Sequence, residues 1–272
     1  MSYRRFSAVW LIVLGIILVS ALLAPLAGQR PGSQPPEAPQ FLAPGAAHPL
    51  GTDSRGQDVL LRTLWAARNS FAAAALATGV ALGLAVAFGS LSGMAGGAVD
   101  WALMRGVDVF LAFPGLLLAL ALVAILNTGV WQAAVAVGIA LTPTYTRLIR
   151  AAVLAVRSQT YVQAAHTLGG STVWIIWRHV LPNVAGEIGV FATVIYAWSL
   201  LNLSALEFLG VSGSPSTPTL GRMLSEGRAY LRVAPWIALV PGVVLTLSIL
   251  AVISLSDAWR RQLPGGEQSD RT

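Results

Sequence analysis

Long apolar runs alternate with short polar connections along this chain. Six runs have the length of a membrane-crossing helix, about 20 residues: 8–27, 71–94, 109–127, 130–147, 186–206 and 235–256. The pattern predicts an all-α polytopic membrane protein with about six transmembrane helices. Arg4 and Arg5 precede the first run as they would in a signal peptide. Its apolar part exceeds the roughly 7–15 residues of a signal core, however, and no A-x-A site follows, so a retained anchor is expected. Arg260 and Arg261 follow the sixth run. With an even number of spans, arginines at both ends put both termini in the cytoplasm. Arg105, Arg147, Arg150 and Arg157 then lie inside, and Arg55, Arg62 and Arg68 outside.

Two external connections are long. Residues 28–69 open on "GQRPGSQPPEAPQFLAPG", whose prolines and glycines oppose regular structure, and 207–234 carry a Ser/Pro/Thr loop and then a helical stretch. Connections of this size usually cover a site or contact a partner. The chain divides into an anchor and external loop (1–69), a membrane core (70–263) and a tail (264–272).

One cytoplasmic connection, 158–183, breaks the apolar pattern with "TYVQAAHTLGGSTVWIIWRHVLPN". Arg157 and Arg178 bracket it and its apolar run "VWII" is too short to span. It reads as two helices joined at a corner. Thr160 and Gln163 have the spacing of a capping box, and Tyr161, Ala164, Ala165 and Leu168 fall on one face. Gly169-Gly170 supplies a left-handed turn. Ser171 can cap a second helix carrying Val173, Ile176, Trp177 and Val180, and Pro182 is expected to stop it. A stripe of small residues on a capped helix suits docking of another protein's backbone.

Composition narrows the chemistry. Only 10% of residues are charged and there is no cysteine, so disulfides, thiolate metal sites and cysteine nucleophiles are excluded. All 17 basic residues are arginine. Without lysine the chain has no P-loop for ATP, so ATP-driven work needs another subunit. The arginines are scattered over connections, which fits a lipid surface and not nucleic acid. Ionisable groups are nearly absent from the spans, against a proton or ion relay. His48, His166 and His179 make no metal cluster, and no nucleophile–base–acid set recommends a hydrolase. Asp108 and Pro114 flank the start of the third run, Asp108 at the cytoplasmic boundary and Pro114 as a kink. Glu207 puts a carboxylate near the outer mouth, where a solvated helix end competes with solute contact. Gly79/Gly83, Gly89/Gly93 and Gly93/Gly97 have the G-x-x-x-G spacing that allows close helix crossing.

The stretch "YVQAAHTLGGSTVWIIWRHVLPN" resembles the EAA loop of permease subunits of bacterial binding-protein-dependent ABC importers. Ala164, Ala165, Gly169, Leu181 and Pro182 match that motif, and Gln163 replaces its usual Glu. "HPLGTDSRGQDVLLRTLWAARNSF", "DVFLAFPGLLLALAL" and "APWIALVPGVVLTLSILAVISLSDAWRRQL" are similar to the dipeptide/oligopeptide/nickel branch, and within it to the C-type dipeptide permease, over residues 48–263. Departures include Glu207 where that branch has Ser and Leu220 where it has Trp. The resemblance implies the type I permease fold in the bacterial inner membrane. It implies a heterodimer with a second permease, two ATPases docking on the EAA loops and an extracytoplasmic binding protein. The docking set carried over is Tyr161, Gln163, Ala164, Ala165, His166, Leu168, Gly169, Arg178 and Pro182, with Asp108, Pro114 and Glu207 as candidates for the path or its mouth. This chain would bind no cofactor, ATP and magnesium belonging to the ATPases. Di- or oligopeptide import is the expected function, with nickel or another small solute as the alternative and a non-transporting membrane scaffold as the rival from another class.

Overall fold

The computed structural model describes residues 2–27, 38–211 and 217–261. The start of the Pro/Gly-rich external segment, the Ser/Pro/Thr loop and the C-terminal tail expected at 264–272 lie outside them. Among the described residues the chain is helical, with one isolated bridge, Thr52 to Asp58, in the loop between α2 (Ala24–Ala27) and α3 (Val59–Ala95).

Helix α1 (Ser2–Leu22) and the short α2 (Ala24–Ala27) lead into that loop, and α1 lies along α11 and α3. Helix α3 (Val59–Ala95) starts at Asp58, whose Oδ1 accepts the Leu60 and Leu61 N–H groups at 2.8 and 3.1 Å. Its 37 residues make a rod about 55 Å long at 1.5 Å per residue, well beyond the roughly 30 Å hydrocarbon core of a bilayer. The surplus lets α3 reach past the core into the loop that precedes it.

Helices α4 (Gly97–Leu111) and α5 (Gly115–Leu126) follow, then α6 (Val130–Arg157). α3 and α6 form the central pair, and their seam is made of small residues. Ala77, Ala81, Ala85, Gly89 and Gly93 of α3 recur every fourth position and are buried. A Cβ at Gly89 would come within 2.8 Å of the Thr146 carbonyl oxygen, and one at Gly93 within 2.7 Å of Val153. Without a hydrophobic drive inside lipid, such close backbone packing is what holds helices together. The Gly89/Gly93 pair is therefore a packing interface, whereas Gly79, Gly83 and Gly97 face open space.

Helix α7 (Thr160–Thr167) is followed by α8 (Thr172–Ile175), a π turn (Ile176–Val180) and α9 (Leu181–Phe208), which run on as one helix from Thr172 to Phe208. Helix α10 (Leu220–Gly227), a 3-10 turn (Arg228–Tyr230) and α11 (Trp236–Arg260) complete the chain.

Among the described residues four helices are long and apolar enough to cross a membrane: α3, α6, Thr172–Phe208 and α11. The expected third span, 109–127, is no straight helix. It starts inside α4 and turns through 92° before α5, so only the two helices together qualify. In the first run the apolar helix described is Trp10–Leu22. Pro182 does not stop the second helix of the cytoplasmic connection. The π turn before it bonds Leu181 N–H to the Ile176 carbonyl, a widened register that absorbs a residue without an N–H.

Candidate docking surface and transport path

One end of the bundle is built where α6 hands over to α9. Arg157, the last residue of α6, donates to the Gly93 carbonyl at 3.0 Å and ties this corner to the end of α3. The cap of α7 is Gln159, with no side-chain bond, so the expected Thr160–Gln163 capping box is not formed. Gln163 instead donates to the Ser158 carbonyl at 3.2 Å. Val162 and Ala165 turn inward and pack in one cluster with Met94, Val153, Ile175 and Val180. Ala165 therefore leaves the expected outer face, because a helix of small and apolar residues offers more than one possible inward stripe. Tyr161, Ala164 and Leu168 stay outside, with Leu168 88% exposed.

The corner has the bonding of a Schellman turn. Gly169 N–H reaches the His166 carbonyl and Gly170 N–H the Ala165 carbonyl, both at 3.0 Å, with Gly169 at φ +84°. A left-handed residue here is what glycine supplies without strain. Ser171 caps α8 by accepting the Trp174 N–H at 3.3 Å. Of the expected second face, Ile176 and Val180 are buried, but Val173 and Trp177 point outward. The His179 ring lies 5.0 Å from Trp174 and 6.4 Å from Tyr161, joining the two helices. His166, Arg178 and Pro182 are exposed on the same element. The result is a held corner presenting Tyr161, Ala164, Leu168, Val173, Trp174 and Trp177. An apolar patch of this kind on a fixed frame marks an interaction site.

Beside it lie the two helices of the bent pair, α4 and α5. Asp108 of α4 pairs with Arg147 of α6, and Asp100 takes a forked bond from Arg150 at 2.6 and 2.5 Å. At the break, Ala112, Phe113, Pro114 and Gly115 are all exposed, and α5 begins at Pro114 without a side-chain cap. The first N–H groups of α5 thus lack intrahelical partners. Backbone of this kind is tolerated at membrane depth only against protein or a water-filled cavity.

The loops before α3 and around α10 are closed by a network invisible in the sequence pattern. Arg62 is 3% exposed and pairs with Asp53 at 2.5 Å and with Glu226 of α10, which Arg222 also holds at 2.9 Å. Asp53 accepts the Arg55 and Gln57 N–H groups as well, at 2.7 and 2.9 Å. Burial by itself would raise the Glu226 carboxyl; the guanidiniums of Arg62 and Arg222 outweigh it and hold the group below its ordinary value. Nearby, Trp236 donates to the Thr52 carbonyl at 3.2 Å, and Asn69 to the Pro218 carbonyl at 2.8 Å. Glu207 is neither a solvated helix end nor open to a mouth. It is 2% exposed at the end of α9, packed over Gly221 of α10. Among the described residues no group of three or more His, Cys, Asp and Glu is placed to hold a metal ion.

A bundle of membrane-crossing helices with a bent helix pair at its side, a two-helix corner at one end and a locked cap at the other is the architecture of a transporter's membrane subunit. The chain belongs to the family of binding-protein-dependent transport system inner membrane components, whose model matches residues 79–264. It is 37% identical over 220 residues to the glutathione transport system permease protein GsiD of Pectobacterium atrosepticum, covering 81% of this chain and 73% of that one. It is 33% identical over 260 residues to the dipeptide transport system permease protein DppC of Alkalihalophilus pseudofirmus, covering 96% and 86%. Among solved structures, an inward-facing MetNI methionine ABC transporter matches with a TM-score of 0.57 at 15% identity, over 74% of this chain and 96% of that chain, a likeness of fold. The protein is a multi-pass permease subunit of an ABC importer and not itself an enzyme.

Proposed function

We propose that this subunit forms half of a path for di- or oligopeptides, glutathione-like peptides included, across the bacterial inner membrane, paired with a second permease. Two ATPases, which bind the ATP and magnesium, dock on the α7–α8 corner, and an extracytoplasmic binding protein delivers solute at the opposite end. Both termini are cytoplasmic, residues 70–263 are the permease core and 158–183 its coupling loop. The observation that carries this reading is the exposed patch around Leu168 and Trp177, held on a buried frame yet left uncovered within the chain. Helix-in-groove recognition uses anchors of this spacing.

The break at Pro114 is the part of the chain best suited to line the path, because its free amides need water or protein beside them. Asp108 lies below the break and pairs with Arg147. Glu207 acts by packing and not by touching solute, since it is buried. The peptide reading comes from the names of the relatives, and a small solute such as nickel is the alternative to test against it. Cells lacking their own peptide uptake, given the complete transporter, should accumulate labelled dipeptide or glutathione. Accumulation of nickel without peptide would reverse the assignment.

A further inference from the structure

We propose that the outer cap carries a basic docking patch, Arg55, Arg228 and Arg232, that receives an acidic face of the solute-binding protein. The inference rests on the importer reading and names the chemistry of its outer contact.

The argument starts from where the carboxylates of the cap are spent. Asp53 is fully buried against Arg62 and backbone amides. Asp58 caps α3 and bonds His48 at 2.8 Å. Glu226 is held by Arg62 and Arg222, and Glu207 is buried. Every carboxylate described on this side is therefore either bonded within the fold or, as with Glu207, buried in it. Arg55, Arg228 and Arg232 are exposed, and none has an ion-pair partner among the described residues. Arg228 lies over the Phe208 ring at the end of α9, 5.5 Å from its centre, and is still exposed; Arg68 lies over the Trp65 ring, 5.3 Å from its centre, but sits within α3 itself and is left out of the patch.

The three arginines ride on one locked platform. Arg55 sits two residues from Asp53 and Arg228 two residues from Glu226, the two ends of the bridge through Arg62. The Phe41 and Tyr230 rings, 4.9 Å apart, and the Trp236–Thr52 bond fasten the 228–235 connection to the same loop. Exposed Leu231 and Val233 lie between and beside the arginines. Arginine among apolar side chains is the composition of a protein interface. Cations on the outer side also run against the charge bias that orients membrane proteins, so topology does not explain them. Arg55 precedes the start of α3, and Arg228 and Arg232 precede that of α11, so all three lie in connections and not within a span. Fixed cations of this kind raise the encounter rate with an acidic partner and lose that effect as salt rises.

The test uses the complete transporter in nanodiscs with its cognate solute-binding protein, loaded with solute, as titrant. Stimulated ATP hydrolysis is followed at low and at physiological salt. Combined Arg55→Glu, Arg228→Glu and Arg232→Glu should raise the half-saturating binding-protein concentration at least tenfold, leave basal hydrolysis unchanged and flatten the salt dependence. The combined alanine variant should show a smaller rise in the same direction, which separates lost charge from misfolding. Unchanged half-saturation and salt dependence in both variants, with wild type stimulated normally, overturns the patch but keeps the importer. A change only in affinity for vesicles of phosphatidylglycerol assigns the arginines to lipid and also overturns it. Wild-type transporter that no binding protein stimulates would remove the importer reading itself.

Discussion

Gly138 of α6 rests directly on Ala77 of α3. A Cβ on the glycine would come within 2.7 Å of the Ala77 carbonyl oxygen and 2.8 Å of the Val80 Cβ. A backbone oxygen cannot rotate away, so Gly138→Val must push the central helices apart, a strain of about 1–3 kcal/mol. The purified permease should unfold at lower temperature and give less monodisperse material in detergent. Gly83→Ala, where the space is open, should be neutral or stabilising by about 0.5–1 kcal/mol. Equal behaviour of the two variants would contradict the seam.

At the inner corner two neighbouring alanines should behave differently. Ala164→Arg and Leu168→Arg change exposed positions and should leave expression and membrane insertion intact while ATPase co-purification and uptake fall below a tenth of wild type. Ala165→Arg puts a charge into the buried cluster, an unpaired burial costing several kcal/mol, so the folded protein itself should be lost. Gly169→Val should lie between, because a β-branched residue at φ +84° costs about 1–2 kcal/mol. Pull-down of the ATPases alongside thermal unfolding separates the three. Without the ATPases, the purified chain should hydrolyse no ATP.

The outer lock predicts a pH dependence. The folded pKa of Glu226 is depressed, so its contribution is complete above the unfolded value of about 4.3. It is lost as pH falls through the lower folded value. Protease cleavage in the external loops should therefore rise on acidification below pH 4.5, and Glu226→Gln should be cleaved faster at neutral pH with a shallower pH response. Arg62→Ala should be worse, leaving Asp53 buried and unpaired at about 3–5 kcal/mol. Equal cleavage of Arg62→Ala and wild type would remove the lock.

Topology is open to direct measurement. Reporters joined near residues 40 and 225 should signal an external location, and those near 170 and 268 a cytoplasmic one. An external signal at 170 would end the docking assignment.

A close-packing side of α3 was legible because its signal is local: the Gly89/Gly93 spacing survives into the seam, although nothing in it named α6 as the partner. Gly79/Gly83 has the same spacing and faces nothing, since spacing does not say which way a helix is rotated. That ambiguity also misplaced Ala165. With Val162 apolar and most of α7 small, an inward stripe through Val162 and Ala165 competes with the one through Ala164 and Leu168, and contacts with Ile175 and Val180 decide it. The Gly169 corner was readable because only a left-handed residue makes that turn. Arg62 and Glu226 were not, as they are 164 positions apart and no periodicity marks such a pair.

A π turn holds one more residue than the helix around it needs, and in this chain it lies between the docking corner and the span that follows. Removing any one residue from 176–180 would let the helix close into ordinary register and swing everything beyond it by about 100°. The buried side of α9, with Val184 and Ile195, would then face a different neighbour. The angle at which the α7–α8 corner meets α9 is thus set by a single inserted amino acid, a constraint on length in a segment whose buried Ile176 and Val180 already constrain its side chains.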